Sequence, residues 1–133
     1  MIYLDTSVAL AHLFSEDRVP PAELWDQPLI SSRLLEYELW TRVHARGLAR
    51  THGELVRNLL VRLALVELVA PVLTRALESF PIPVRTLDAL HLASMSFLLD
   101  QGQDVRLASY DERQQRAARA MKMDVIDLSG GVA

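Results

Sequence analysis

The residues able to do chemistry in this sequence are acids. There is no cysteine, which removes thiolate metal sites, disulfides and a thiol nucleophile. Asp5 ends a short apolar run, Ile2-Tyr3-Leu4, and is followed by two hydroxyl residues, Thr6 and Ser7. Asp88 lies in the first turn of the most apolar stretch of the chain, Leu87 to Gln101. Asp111 follows a second apolar run, Val105 to Ser109, and Glu38 sits on a helix that follows a third, Pro28 to Ser31. Two carboxylates about 4 Å apart repel by roughly 4 kcal/mol at an effective dielectric of 20, so a fold that gathers several needs a cation. All-oxygen ligands without sulfur point to Mg²⁺ or Mn²⁺. Such a site suits phosphoryl chemistry, where the ion activates water and steadies charge on the phosphate.

Each acid also has a plain structural account. Asp5 or Thr6 can cap the helix that follows, and Asp111 can cap another, with Ser109 and Glu112 at capping-box spacing. Glu38 and Arg42 are spaced i, i+4, as in a solvated ion pair. Spacing alone does not separate Glu38 from Glu36 as the functional acid. Asp88 in a first turn suits the helix dipole, yet its flanks Leu87 and Leu90 demand a partner for a buried charge. His91, one turn on, fits that partner, a packed core histidine or a metal ligand.

The elements that must position these acids alternate. Strands are expected at Ile2–Leu4, Pro28–Ser31, Leu65–Val69, Val105–Ser109 and Asp124–Asp127. Helices are expected from Thr6 to Phe14, from Pro20 to Trp25, from Ser32 to Ala45 or Arg46 with Gly47 beyond its end, and from Thr51 with Glu54 as its capping box. Further helices start at Pro71, at Thr86 and at Asp111, and Gly130-Gly131 closes the chain as a loose tail. Leu35, Leu39 and Val43 form one apolar stripe, and Leu55, Leu59, Leu60 and Leu63 another. The Thr86 helix is apolar on nearly all sides and is expected to be mostly buried. Alternation of this kind means an α/β fold with a mainly parallel sheet. With strand 1 central, strands 2 and 3 on one side and the chain returning to the other, the order is 3-2-1-4-5. The switch point then falls between strands 1 and 4, which brings Asp5 and Asp111 side by side.

At these residues the chain resembles a known family. Leu4-Asp5-Thr6-Ser7, Ser31-Ser32 with Glu38-Leu39, Thr86-Leu87-Asp88-Ala89-Leu90-His91-Leu92-Ala93 and Ser109-Tyr110-Asp111-Glu112-Arg113 are similar to the PIN domain. More narrowly they resemble the VapC ribonuclease toxins of type II toxin–antitoxin modules, in order and over the whole chain. The resemblance implies one PIN-like α/β/α sandwich over residues 1–133 and Mg²⁺- or Mn²⁺-dependent endoribonuclease activity. It implies four site acids, Asp5, Glu38, Asp88 and Asp111, and so selects Glu38 over Glu36. Asp5, Asp88 and Asp111 are the implied metal ligands, with Glu38 able to join them, and Thr6, Ser7 and Ser109 the implied site-lining hydroxyls. It also implies an RNA substrate, a homodimer and a cognate antitoxin that blocks the site.

Composition bounds the rest. A chain of 133 residues suits one domain, and no run approaches a membrane span or a signal peptide, so a cytoplasmic protein without membrane association is expected. Net charge is −3, whereas a protein that holds nucleic acid by bulk attraction is usually basic. RNA contact must then come from local arginines: Arg42, Arg46 and Arg50 step by four from the Glu38 face, and Arg113, Arg116 and Arg119 form a second row. The same rows suit a solvated face. Two other classes fail on residues. An aspartyl phosphatase needs a second Asp where Ser7 stands, and a receiver module needs a lysine near the last strands, whereas the single lysine is Lys122. A catalytically inactive PIN-like module that binds RNA or protein remains the alternative.

Overall fold

The computed structural model describes residues 1–129; the Gly130-Gly131 tail lies outside the described residues. Four parallel strands, β1 (Ile2–Leu4), β2 (Leu29–Ser32), β3 (Leu63–Val66) and β4 (Arg106–Ala108), form one sheet in the order β3-β2-β1-β4. Six helices surround it: α1 (Thr6–Leu13), α2 (Arg33–Ala45), α3 (Ala49–Leu60), α4 (Ala70–Leu77), α5 (Thr86–Asp100) and α6 (Glu112–Ala120). A short 3₁₀ turn, Ala22–Asp26, precedes β2.

The two-residue period of β1 divides the interior. Ile2 and Leu4 point into one core with Val8 of α1, Leu35, Leu39 and Val43 of α2 and Val56 of α3. Tyr3 points into the other, with Leu92, Met95 and Leu98 of α5 and Ala117 of α6. Helices thus cover both faces, and all three residues of β1 are buried. Buried strands of this kind need apolar residues on both sides, which is why the run carries no surface residue.

Local chemistry sets several boundaries. Ser32 caps α2 by accepting from the N–H of Leu34 at 3.0 Å. Gly47 follows α2 at φ +66°, a left-handed conformation that suits a residue without Cβ. Leu35, Leu39 and Val43 are all fully buried, as their spacing predicts.

Other expectations are corrected. The segment expected as a fifth strand makes one parallel bridge, Leu107 with Val125. Two hydrogen bonds flank it, and the chain then turns, with the Asp127 carboxylate accepting from the N–H of Ser129 at 2.8 Å. β3 begins two residues early, because pairing of Leu29 with Leu63 through Ser32 with Val66 fixes its register. α3 begins at Ala49 rather than behind a Thr51 cap: the Thr51 hydroxyl turns back to the Leu48 carbonyl at 3.2 Å, so no capping box forms with Glu54. Leu55 is exposed, because the face that α3 packs inward runs through Gly53, Val56 and Leu59. α5 lacks a side-chain cap, with Arg85 rather than Thr86 in the capping position. Its core, His91 to Met95, is buried, but Leu87 and Leu99 reach solvent.

Candidate active site

The site is built where β1 and β4 end. The N–H of Asp5 donates to the Ala108 carbonyl at 2.9 Å and so continues the parallel ladder by one residue. Asp5 is then the capping residue of α1, its backbone extended and its side chain 5 % exposed. Three donors meet on one carboxylate oxygen, Oδ2: the Ser7 N–H at 3.3 Å, the Ser7 hydroxyl at 2.6 Å and the Ser109 hydroxyl at 2.9 Å. Each hydroxyl also accepts a backbone N–H, Ser7 from Tyr110 at 2.9 Å and Ser109 from Asp111 at 3.0 Å. A serine has one proton to donate, so both are fixed as donors to Asp5. Ser7 and Ser109 therefore stitch the β1–α1 turn to the β4–α6 turn and hold Asp5 in one orientation.

Asp111 caps α6, and its Oδ1 accepts from the N–H of Arg113 at 2.9 Å and of Gln114 at 3.4 Å. Asp88, on the first turn of α5, is partly buried and its carboxylate accepts no hydrogen bond among the described residues; only its backbone carbonyl does, from the Gln114 amide at 3.4 Å. Burial raises its pKa above the usual carboxylate range, and the negative charges of Asp111 and then Asp5 raise it further, against the weaker pull of His91 and Arg85. These three acids, from β1, α5 and the start of α6, therefore share one electrostatic neighbourhood. An all-oxygen set of this kind fits a hard divalent cation, although among the described residues no three acid or histidine side chains stand as a ready-made ion cage.

Glu38 reaches the same region from α2. Its Oε1 accepts from the Thr6 hydroxyl at 2.8 Å and lies 2.6 Å from His91 Nε2. The partner of His91 is thus Glu38 rather than Asp88, and Glu38 pairs with His91 rather than with Arg42. Burial disfavours the imidazolium, but the hydrogen bond to Glu38 and the charges of Glu38, Asp5 and Asp88 outweigh it and raise the His91 pKa. Glu36 faces elsewhere: it sits in a surface ion pair with Arg33 at 3.2 Å, and Arg33 also binds Glu67 at 2.6 Å. The two glutamates that spacing left open have different surroundings.

The arginines divide. A cleft of about 530 Å³ beside Asp5 is lined by Ser7, Arg18, Arg42, Tyr110 and Asp111. A second, of about 490 Å³, holds Arg85, Arg113 and Arg116. Arg42 and Arg113 thus lie on grooves, whereas Arg46 is committed to Glu16 at 4.0 Å and stacks over Phe14 at 4.3 Å. Sequence reasoning missed Arg18, which lies between α1 and the 3₁₀ turn and outside both arginine rows. It donates to the Tyr110 carbonyl and lies over the Tyr110 ring at 5.4 Å. It also missed Tyr3, whose one sign was a hydroxyl in an otherwise apolar strand, and Gln114, which is buried.

Two comparisons bear on this arrangement. The chain is 34 % identical over 130 residues to Ribonuclease VapC46 of Mycobacterium tuberculosis, an alignment covering 94 % of this chain and 95 % of the relative. Residues 2–120 match the PIN domain, a span that takes in all four strands and all four acids. With a match over most of its length, its strand order and its helices on both faces, the chain belongs to the PIN domain family.

Proposed function

We propose that this protein is a Mg²⁺- or Mn²⁺-dependent endoribonuclease that acts as the toxin of a toxin–antitoxin pair and is silenced by its cognate antitoxin. The observation that supports the reading is that the charges of Asp111 and Asp5 both bear on Asp88, while Glu38 is tethered to Thr6 and His91. Like charges held together in a partly buried site serve no packing purpose, and their mutual repulsion costs stability. Likeness to a ribonuclease over nearly the whole chain supports RNA as the polymer cut.

Asp5, Asp88 and Asp111 would hold the ion, which when bound supplies positive charge to the phosphate and makes water a better nucleophile. Asp5 is the fixed member of the set, because its Oδ2 is saturated by Ser7 and Ser109. Glu38, with Oε1 tied to Thr6 and His91, is the group that takes a proton from the attacking water. The water oxygen forms a bond to phosphorus in line with the departing 3′-oxygen, which leaves as a 3′-hydroxyl after gaining a proton. The other product carries a 5′-phosphate. The ribose 2′-hydroxyl takes no part. Arg42 and Arg18, which line one groove, and Arg113, which lines the other, would contact flanking phosphates.

The protein is expected to cut a structured RNA with Mg²⁺ or Mn²⁺ and to stop when EDTA is added. End mapping should find 5′-phosphates. Cleavage that survives chelation, or 2′,3′-cyclic phosphate ends, would refute the mechanism. Co-purification of a cognate antitoxin that abolishes cutting tests the second half of the reading.

A further inference from the structure

One polar side chain in β1 is completely buried, and nothing in the acid chemistry above uses it. The Tyr3 hydroxyl lies 2.8 Å from His91 Nδ1, with the two rings edge to face at 82° and 5.9 Å between centroids. Across the imidazole, Nε2 is 2.6 Å from Glu38 Oε1 and 3.2 Å from the Thr6 hydroxyl, which itself donates to the same Oε1 at 2.8 Å. Side chains from α1 and α5 therefore close on one carboxylate oxygen of α2, and β1 backs the imidazole from its other side.

The proton count fixes the ring. An ionised carboxylate only accepts, and the single hydroxyl proton of Thr6 goes to Glu38. His91 Nε2 must therefore carry a proton, which leaves Nδ1 facing the Tyr3 hydroxyl. If Nδ1 is bare, Tyr3 donates to it; if Nδ1 is protonated, the Tyr3 oxygen accepts. The Nε2–H points at Glu38 in both states, so the contact does not turn on titration of the ring. Its consequence falls on Glu38. A glutamate on an exposed helix face samples many rotamers, and fixing such a side chain costs conformational entropy. Here two donors hold Oε1, and the carboxylate is 20 % exposed. One oxygen is anchored, and the other accepts no hydrogen bond among the described residues.

We propose that His91 is a positioning residue for Glu38, anchored from behind by Tyr3, and that the Tyr3–His91–Glu38 line sets the aim of the group that receives the water proton. The catalytic consequence rests on the ribonuclease reading; the geometry itself does not, and the two are tested separately.

In metal-free, ¹⁵N-labelled protein the His91 Nε2–H proton should resonate well downfield of an ordinary imidazole N–H. It should vanish in Glu38→Ala and move in Tyr3→Phe. In the cleavage assay, His91→Leu should lower kcat about 10–100-fold, the usual cost of removing a group that orients a reacting ligand, with KM for RNA little changed. His91→Gln, whose side-chain N–H reaches the place of Nε2–H, should recover kcat to within about tenfold of wild type. Should His91→Leu fail to fold, Tyr3→Phe and His91→Gln carry the test, since both keep size and a polar interior. A folded His91→Leu with wild-type kcat would overturn the proposal, as would the absence of a Glu38-dependent downfield proton. Equal losses in Leu and Gln variants that track a shared fall in Tm would also overturn it, since they assign His91 to packing. A wild-type protein that cuts no RNA yet shows the Glu38-dependent proton would overturn the ribonuclease reading and support the His91–Glu38 coupling.

Discussion

Removing one charge from the acid site should stabilise the ion-free protein. Asp88 is the place to do it, because its carboxylate accepts no hydrogen bond among the described residues, so Asn deletes charge without deleting a contact. Its pKa is raised by burial first, then by Asp111 and Asp5. A carboxyl with a raised folded pKa binds more protons folded than unfolded, so stability falls as pH rises from the unfolded value through the folded one. At neutral pH the full penalty is present, and it disappears below the ordinary carboxylate pKa. Like charges about 4–8 Å apart cost roughly 2–4 kcal/mol at an effective dielectric of 20. Partial exposure screens this, and Asn gives up a helix-dipole interaction of about 0.3–1 kcal/mol. A net gain of about 1–2 kcal/mol remains, equivalent to a rise in Tm of roughly 3–10 °C for a chain of this size.

The assay is thermal unfolding of wild type and Asp88→Asn in EDTA at pH 7 and again near pH 3.5. The mutant should melt higher at pH 7, and the difference should shrink at the lower pH as wild-type Asp88 becomes protonated. Mg²⁺ at ten times its Kd should raise wild-type stability by about 1.4 kcal/mol and the mutant's by much less. A mutant that melts below wild type in EDTA and responds equally to Mg²⁺ would make Asp88 a structural residue of the α5 terminus. The case for a shared ion site would fall with it.

Glu38→Gln should abolish cleavage while Glu36→Gln, which disturbs only the surface pair with Arg33, leaves it within about twofold of wild type; the reverse order would mean that the wrong acid has been assigned. Ser7→Ala and Ser109→Ala each remove one donor from Asp5 Oδ2 and should cost about 1–3 kcal/mol in chemical denaturation, because they leave a buried carboxylate short of a partner; unchanged midpoints would show that Asp5 does not depend on them. RNA binding should weaken steeply with salt, each neutralised phosphate contributing about −0.7 to −0.9 to the log–log slope. Arg42→Ala and Arg113→Ala should each flatten that slope by about one contact, whereas Arg46→Ala, engaged with Glu16 and Phe14, should leave it unchanged.

The sequence was most legible where one local rule acts without competition. The buried β1 run, the Ser32 cap and the Leu35–Leu39–Val43 stripe follow from residue type and period alone, and the order 3-2-1-4 follows from topology. It misled where tertiary contacts outvote local signals. Thr51 and Glu54 have capping-box spacing, yet α3 starts earlier. Leu63 reads as the end of a helical stripe, yet pairing with Leu29 makes it the first residue of β3. Asp124–Asp127 carries the strand-type pair Val125-Ile126 but meets β4 at a single bridge before turning. In the site, the acids carry a signal because a carboxylate beside leucines is conspicuous. Their supports do not, because a serine, a histidine or a tyrosine in these positions reads equally as core or cap.

The support structure explains why fixed and adjustable acids coexist. Asp5 is held from three sides and bonded into the β1–β4 ladder, so it cannot shift without breaking the sheet's end. Asp111 is held through one oxygen by the start of α6, and Asp88 by nothing but its helix. Were Asp5, Asp88 and Asp111 to hold a divalent ion, Asp88 and Asp111 would be the members free to adjust and Asp5 the fixed one, and the ion would relieve the repulsion that Asp88 feels from the other two. A net-negative chain gains further from it, since neutralising the acids removes the local field that keeps phosphates away while leaving Arg18, Arg42 and Arg113 in place on the flanking grooves. On this argument ion binding should precede RNA binding, and Asp88→Asn should bind a non-cleavable RNA better than wild type when both are free of divalent ions. Equal affinity in EDTA would show that the acids do not govern access to the site.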